Sequence, residues 1–170
     1  MIGKDTQALL LENQDNFLIP ADNVATVMYN HSLDHALLVL SNVGYTKIPV
    51  LDKEDHFVGL LGLNDIVRKM VSLTDIDTDN LAGLTVADVM EIGVDYLTDE
   101  SDLEDILHLL VNNSFLPMIN KERIFLGIIT RKEILKCTNH LVHDLERRYQ
   151  LVPKEDKPRD TDKKAGLQVI

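Results

Sequence analysis

The 170 residues amount to one domain by the usual length prior, and 45% hydrophobic against 26% charged residues place the chain in the globular range, outside the disordered and fibrous classes. A net charge of −11, from 28 acids against 17 bases, opposes counterion-release binding to nucleic acid and attraction to anionic lipid, so neither is an expected partner. A single cysteine, Cys137, excludes an internal disulfide; with no signal-peptide pattern and no long apolar run, the expected setting is the reducing cytoplasm.

Residues 1–16 are expected to lead in as a helix that lays Leu9 and Leu10 on the body. Leu33, Ala36, Leu37 and Leu40 then recur at helical spacing behind Ser32, an N-cap candidate. A strand with Pro49 follows over Thr46 to Leu51, then a polar turn from Asp52 to His56 and a second strand, Phe57 to Leu61, with Gly59 inside it. A further helix closes the unit, with Ile66, Val67 and Met70 on its apolar face.

The same order returns after an Asp- and Thr-rich stretch. Leu103, Ile106, Leu107 and Leu110 repeat the first helix 70 positions later, behind Ser101 and Glu104 in a capping-box spacing. Pro117 and Gly127 follow Pro49 and Gly59 at 68, on strands Phe115 to Ile119 and Phe125 to Ile129. The closing helix carries Ile134, Leu135, Thr138, Leu141 and Val142. The class is therefore α+β, two α-β-β-α repeats with pseudo-two-fold symmetry, each too small to bury its own sheet and helix faces alone. The divisions are 1–16, a leading helix; 17–73, repeat one; 74–85, a linker; 86–149, repeat two; and 150–170, a charged flexible tail in which nine of the twelve residues from Pro153 to Lys164 are charged. The seam between the repeats is the expected ligand cleft.

Two segments carry a family resemblance: Gly59-Leu60-Leu61-Gly62-Leu63-Asn64-Asp65-Ile66 and Gly127-Ile128-Ile129-Thr130-Arg131-Lys132-Glu133-Ile134. In register, each after an aliphatic-Pro-aliphatic strand, they resemble the ends of paired CBS domains, a Bateman module, over residues 17 to 140. The segments 19–25, 35–40 and 44–51 narrow the likeness to stand-alone CBS pairs of Gram-positive bacteria that bind cyclic di-AMP. That resemblance implies a regulatory sensor rather than an enzyme. It also implies an adenine nucleotide as ligand with no further cofactor, a disc-like homodimer, and docking on a target enzyme, such as the (p)ppGpp synthetase/hydrolase of the stringent response.

Within the second motif, Thr130 stands where a strand turns into a helix, so unpaired N–H groups and the helix dipole favour an anion there, with Arg131 and Lys132 adding charge. The resemblance faces this motif with the base-contacting strands of repeat one: Ala25, small enough to let a base reach main chain, and Thr46, Lys47 and Ile48. Asn23 would hydrogen-bond the base or ribose, and Tyr45 would stack. The family's ribose-binding aspartate is Glu133 here, one methylene longer. The mirror site keeps Asp65 but has Gly62 for the hydroxyl residue and no base before Arg68 and Lys69, so it is expected to be weak or empty.

Plainer readings stand beside these. Thr130 with Glu133 is also a capping box, and Tyr45 and Phe115 also suit core packing. His31 with His35, and His140 with His143, have helical spacing for a shared metal but lack accompanying ligands, so no metal site is expected. No nucleophile, carboxylate pair or glycine-rich loop points to catalysis. The alternatives left open are an AMP or ATP sensor and a constitutive protein-interaction scaffold with a vestigial cleft.

Overall fold

The computed structural model describes residues 17–71 and 76–148; the leading helix and the tail lie outside them. Strand β1 (Leu18–Pro20) leads through a 3-10 turn (Ala21–Asn23) to β2 (Val27–Met28) and helix α1 (Leu33–Val43). The first hairpin, β3 (Lys47–Leu51) and β4 (Phe57–Gly62), follows, with α2 (Leu63–Met70) behind it. The second repeat supplies α3 (Leu103–Asn112), β5 (Phe115–Ile119), β6 (Phe125–Thr130) and α4 (Arg131–Arg148). The two α-β-β-α units anticipated from sequence are all present.

Capping explains where the helices start. Ser32 accepts a hydrogen bond from the His35 amide at 3.3 Å, as its position suggests. The Ser101–Glu104 box does not form. Asp102 caps α3 instead, accepting from the Asp105 amide at 2.8 Å, because a carboxylate complements the helix dipole better than a hydroxyl; Ser101 Oγ turns back to accept from the Thr98 amide at 3.0 Å.

The sheets are not confined to their own repeats. One has the order β2-β3-β4; the other has β1-β6-β5, so the first strand of the chain completes the sheet of the second repeat. The exchange is reciprocal. Glu91 lies beside Leu60 of β4, donating to its carbonyl at 2.8 Å and accepting from its amide at 3.0 Å. Each arm runs against the strand glycine of the other repeat. A Cβ at Gly59 would stand 2.4 Å from the Glu91 carbonyl oxygen, and one at Gly127, where φ is +146°, would stand 2.1 Å from that of Ile19. Main chain at that distance leaves no room for any side chain, which is why glycine repeats 68 residues apart.

Leu33, Ala36 and Leu40 of α1, Ile48, Val50 and Leu61 of the hairpin, and Ile66 of α2 form the core of repeat one. Leu97, Leu103, Leu110, Leu116, Ile129 and Ile134 form that of repeat two, with Phe17 contributed by the first arm. A third cluster, Leu51, Phe57, Leu60, Ile119, Phe125 and Ile128, draws equally on both repeats and joins them, with the Phe57 and Phe125 rings stacked at 6.4 Å. The hairpin turns interlock beside it: Phe57 donates to the Arg123 carbonyl and Phe125 to that of Asp55, both at 3.0 Å.

Two expectations about burial change. Leu81, in the stretch read as a linker, and Val86 just after it are fully buried in the repeat-one core, carried by 3-10 turns at Thr78–Leu81 and Val86–Asp88. The Asp- and Thr-rich composition conceals them because such a turn buries one residue at a time. Val67, Leu135 and Val142, read as core, are exposed, the last two at 59% and 58%; α4 turns Ile134 inward and little else.

Candidate functional site

At the start of α4, Thr130 Oγ1 accepts from the Glu133 amide at 3.2 Å, which forms half of the capping box. The other half is absent, since the Glu133 carboxylate accepts from Lys136 Nζ at 2.6 Å. Arg131 is spread over the C-terminal end of α3: Nε donates to the Leu110 carbonyl at 2.8 Å, and Nη2 donates to those of Val111 at 3.2 Å and Asn113 at 2.9 Å. Those are orphan carbonyls at the negative end of a helix, and a guanidinium satisfies several at once. The fork expected to grip a phosphate is thus largely engaged with main chain. Lys132 remains exposed.

Two concavities flank this helix start. The seam holds a cavity of about 320 Å³ walled by Thr46, Lys47 and Leu60 of repeat one, by the arm from Glu91 to Asp95, and by Asn112 to Phe115 at the end of α3. A second, of about 570 Å³, lies along α4 between Ser114, Arg131, Lys132, Leu135, Lys136 and Asn139. Ser114 borders both, and its carbonyl accepts from the Arg131 amide at 2.9 Å. Volumes of this order suit small ligands.

Of the residues anticipated for binding, Thr46 and Lys47 line the seam cavity and Arg131 and Lys132 line the second. Thr130 and Glu133 sit at the helix start and wall neither concavity. Ile48 is fully buried in the repeat-one core, because alternation along β3 turns it away from the cavity; only its main chain remains for a ligand. Asn23 is exposed, Ala25 half-buried and Tyr45 half-exposed, and none of them walls either concavity. At the mirror motif, the Asp65 carboxylate accepts from the Gly62 amide at 3.0 Å, and Gly62 leaves room for the Lys47 stem, whose Cγ would lie 3.3 Å from a Cβ there.

Sequence reasoning passed over Glu91, Asp95 and Asn112–Ser114. Glu91 forms an ion pair with Lys47 across the seam, and Asp95 accepts from the Asn113 side chain at 3.2 Å. The only signal of Glu91 and Asp95 was position at the start of the second repeat, ahead of its first helix, in a stretch without periodicity. Asp52, Glu54 and His56 cluster within 4.8 Å in the first hairpin turn, with His56 Nδ1 2.9 Å from Asp52. Turn geometry accounts for Asp52, which accepts from the Glu54 and His56 amides just as Asn120 accepts from those of Glu122 and Ile124 in the second repeat. Cys137, behind the helix start, has its thiol pushed up by burial and then by the Glu133 carboxylate. Among the described residues no helix is long and apolar enough to cross a membrane.

Comparison with known proteins agrees with this architecture. The CBS domain family model matches residues 17–72 and 86–139. The sequence is 36% identical over 147 residues to cyclic di-AMP receptor B of Bacillus subtilis, covering 86% of this chain and 100% of that protein. The structure of CbpB from Streptococcus agalactiae superposes with a TM-score of 0.79 at 34% identity, over 90% of this chain and 96% of that one. CbpB from Listeria monocytogenes, solved in complex with c-di-AMP, gives 0.72 at 37% identity, over 77% and 98%.

Proposed function

The chain belongs to the CBS domain family as a tandem pair, and from that membership we propose that it is a receptor for cyclic di-AMP, a regulatory protein without catalysis of its own. The observation that carries the reading is full-length similarity: the likeness to the Bacillus subtilis receptor, at 36% identity, spans that protein from end to end. The geometry supports it, because the seam cavity draws its walls from both repeats, so one ligand there touches both.

In this reading the helix start at Thr130, with Lys132 and Lys47, receives the phosphates. Asn23, Ala25, Tyr45, Thr46 and the main chain of Ile48 receive an adenine, and Glu133 stands at the ribose. Arg131 acts chiefly by holding Asn112–Ser114 in place. The ligand state governs docking on a target enzyme, such as a (p)ppGpp synthetase/hydrolase, in the cytoplasm, and by linkage the target changes ligand affinity by the same factor. A homodimer fits the exposed Leu135 and Val142 on α4, and light scattering of the eluted protein measures its mass.

Calorimetry with cyclic di-AMP, cyclic di-GMP, AMP and ATP tests the reading. The expected result is saturable heat with cyclic di-AMP at the lowest concentration. Tighter binding of AMP or ATP would make the protein an energy-charge sensor, and no heat with any adenylate would end the proposal.

A further inference from the structure

Among the described residues Lys47 is the only basic side chain in the wall of the seam cavity, and it is already paired: its ammonium meets the Glu91 carboxylate, 44 residues further along the chain. Asp95 lies in the same wall, so the described residues of that wall carry net negative charge. A phosphodiester entering it meets a neutralised cation and an opposing field.

The fold does not demand that pair. Glu91 stands against Leu60 as Ile19 stands against Ile128 in the other arm, and Lys47 corresponds to Phe115 through the 68-residue repeat. On the pseudo-symmetric side these places hold Ile19 and Phe115, both packed on the seam cluster. An apolar pair therefore satisfies the architecture, and the charged pair is specific to one half.

The pair is also built to be exchanged. Its side chains are 42% and 49% exposed, so solvent screens the attraction and leaves it weak. Glu91 is fixed by its main chain, through two hydrogen bonds to Leu60, so its carboxylate can leave Lys47 without moving the arm. We propose that Glu91 is an internal counter-anion of the ligand site, which occupies Lys47 in the free protein and is displaced by a ligand phosphate, so that this residue sets nucleotide affinity. This rests on the cyclic di-AMP reading and adds to it a residue whose removal improves binding.

Calorimetry with cyclic di-AMP on the parent, Glu91→Gln, Asp95→Asn and Lys47→Met tests it, with melting curves of each free protein. Glu91→Gln is expected to melt where the parent does and to bind about three- to ten-fold tighter, the effect of one charge removed near the phosphate in a well-solvated site. Lys47→Met is expected to bind at least about three-fold more weakly. Asp95→Asn, on the same wall but hydrogen-bonded to Asn113 rather than paired with Lys47, is expected to gain less than Glu91→Gln. Unchanged or weaker binding by Glu91→Gln, a gain in Asp95→Asn equal to it, or parent-like binding by Lys47→Met would each overturn the counter-anion. A parent that gives no heat with any adenylate removes the receptor reading and the counter-anion with it, whereas a parent that binds isolates the failure to Glu91.

Discussion

Three carbonyl oxygens at the end of α3 hold the Arg131 guanidinium, and this changes what its removal should do. A residue that only grips ligand can be lost without cost to the fold. Arg131→Met instead strands three acceptors at a helix terminus and is expected to cost about 1–3 kcal/mol of stability, read from the urea midpoint. It should also weaken cyclic di-AMP binding, since Asn112–Ser114 wall the cavity. Full stability in the variant would show that the carbonyls find water as good a partner. Cys137 offers a second test nearby. Burial and Glu133 hold its thiol protonated above the ordinary range, so at a given pH less thiolate is present. Alkylation should be slow at neutral pH, rise only at higher pH than for a free cysteine, and quicken in Glu133→Gln; equal rates in the two proteins would show the carboxylate to be too well screened to matter.

At the level of elements, the glycines of the two β-strand motifs rank by what stands opposite them. Gly127→Ala must push main chain aside at a φ that side chains rarely adopt, and Gly59→Ala faces main chain at 2.4 Å. Gly62→Ala meets mainly the Asp65 carboxylate at 2.7 Å, a side-chain atom that can move. Denaturation midpoints should therefore fall most for Gly127→Ala, by about 3 kcal/mol or more, nearly as far for Gly59→Ala, and least for Gly62→Ala. The reverse order would mean that the exchanged arms are not seated as described. These glycines also mark how much the sequence disclosed. Helices and hairpins were legible because their periods run over five to eighteen residues and return at 68 to 70. The arms were not: β1 is three residues long and the Glu91 arm makes a single bridge to Leu60, both too short for any period, and their pairing is with the far repeat. At the candidate site, the place of Thr130 at a helix start was legible from its motif and that of Lys47 on the seam from the family resemblance, whereas the Arg131 contacts were hidden because main-chain carbonyls leave no mark in a sequence.

For the molecule as a whole, the second repeat completes its sheet only with β1, the Glu91 arm bridges back to β4, and the shared cluster leaves neither repeat able to cover its apolar face without the other. Unfolding should then be a single transition. Phe125→Ala removes a buried ring from the middle of that shared cluster and leaves Phe57 without its stacking partner, at an expected cost of about 3–5 kcal/mol. The seam cavity is walled by both repeats, so under the proposed reading a loosened seam should weaken cyclic di-AMP binding although Phe125 lines neither concavity. A ligand that binds only the assembled pair, as proposed, should at a hundred-fold excess over Kd return about 2.7 kcal/mol to either protein, raising the melting temperature of the variant in parallel with that of the parent. Melting and calorimetry on the same samples separate the two effects. A variant that loses stability yet keeps parent affinity would place the nucleotide within one repeat, and a ligand-induced rise confined to one of two resolved transitions would say which repeat holds it.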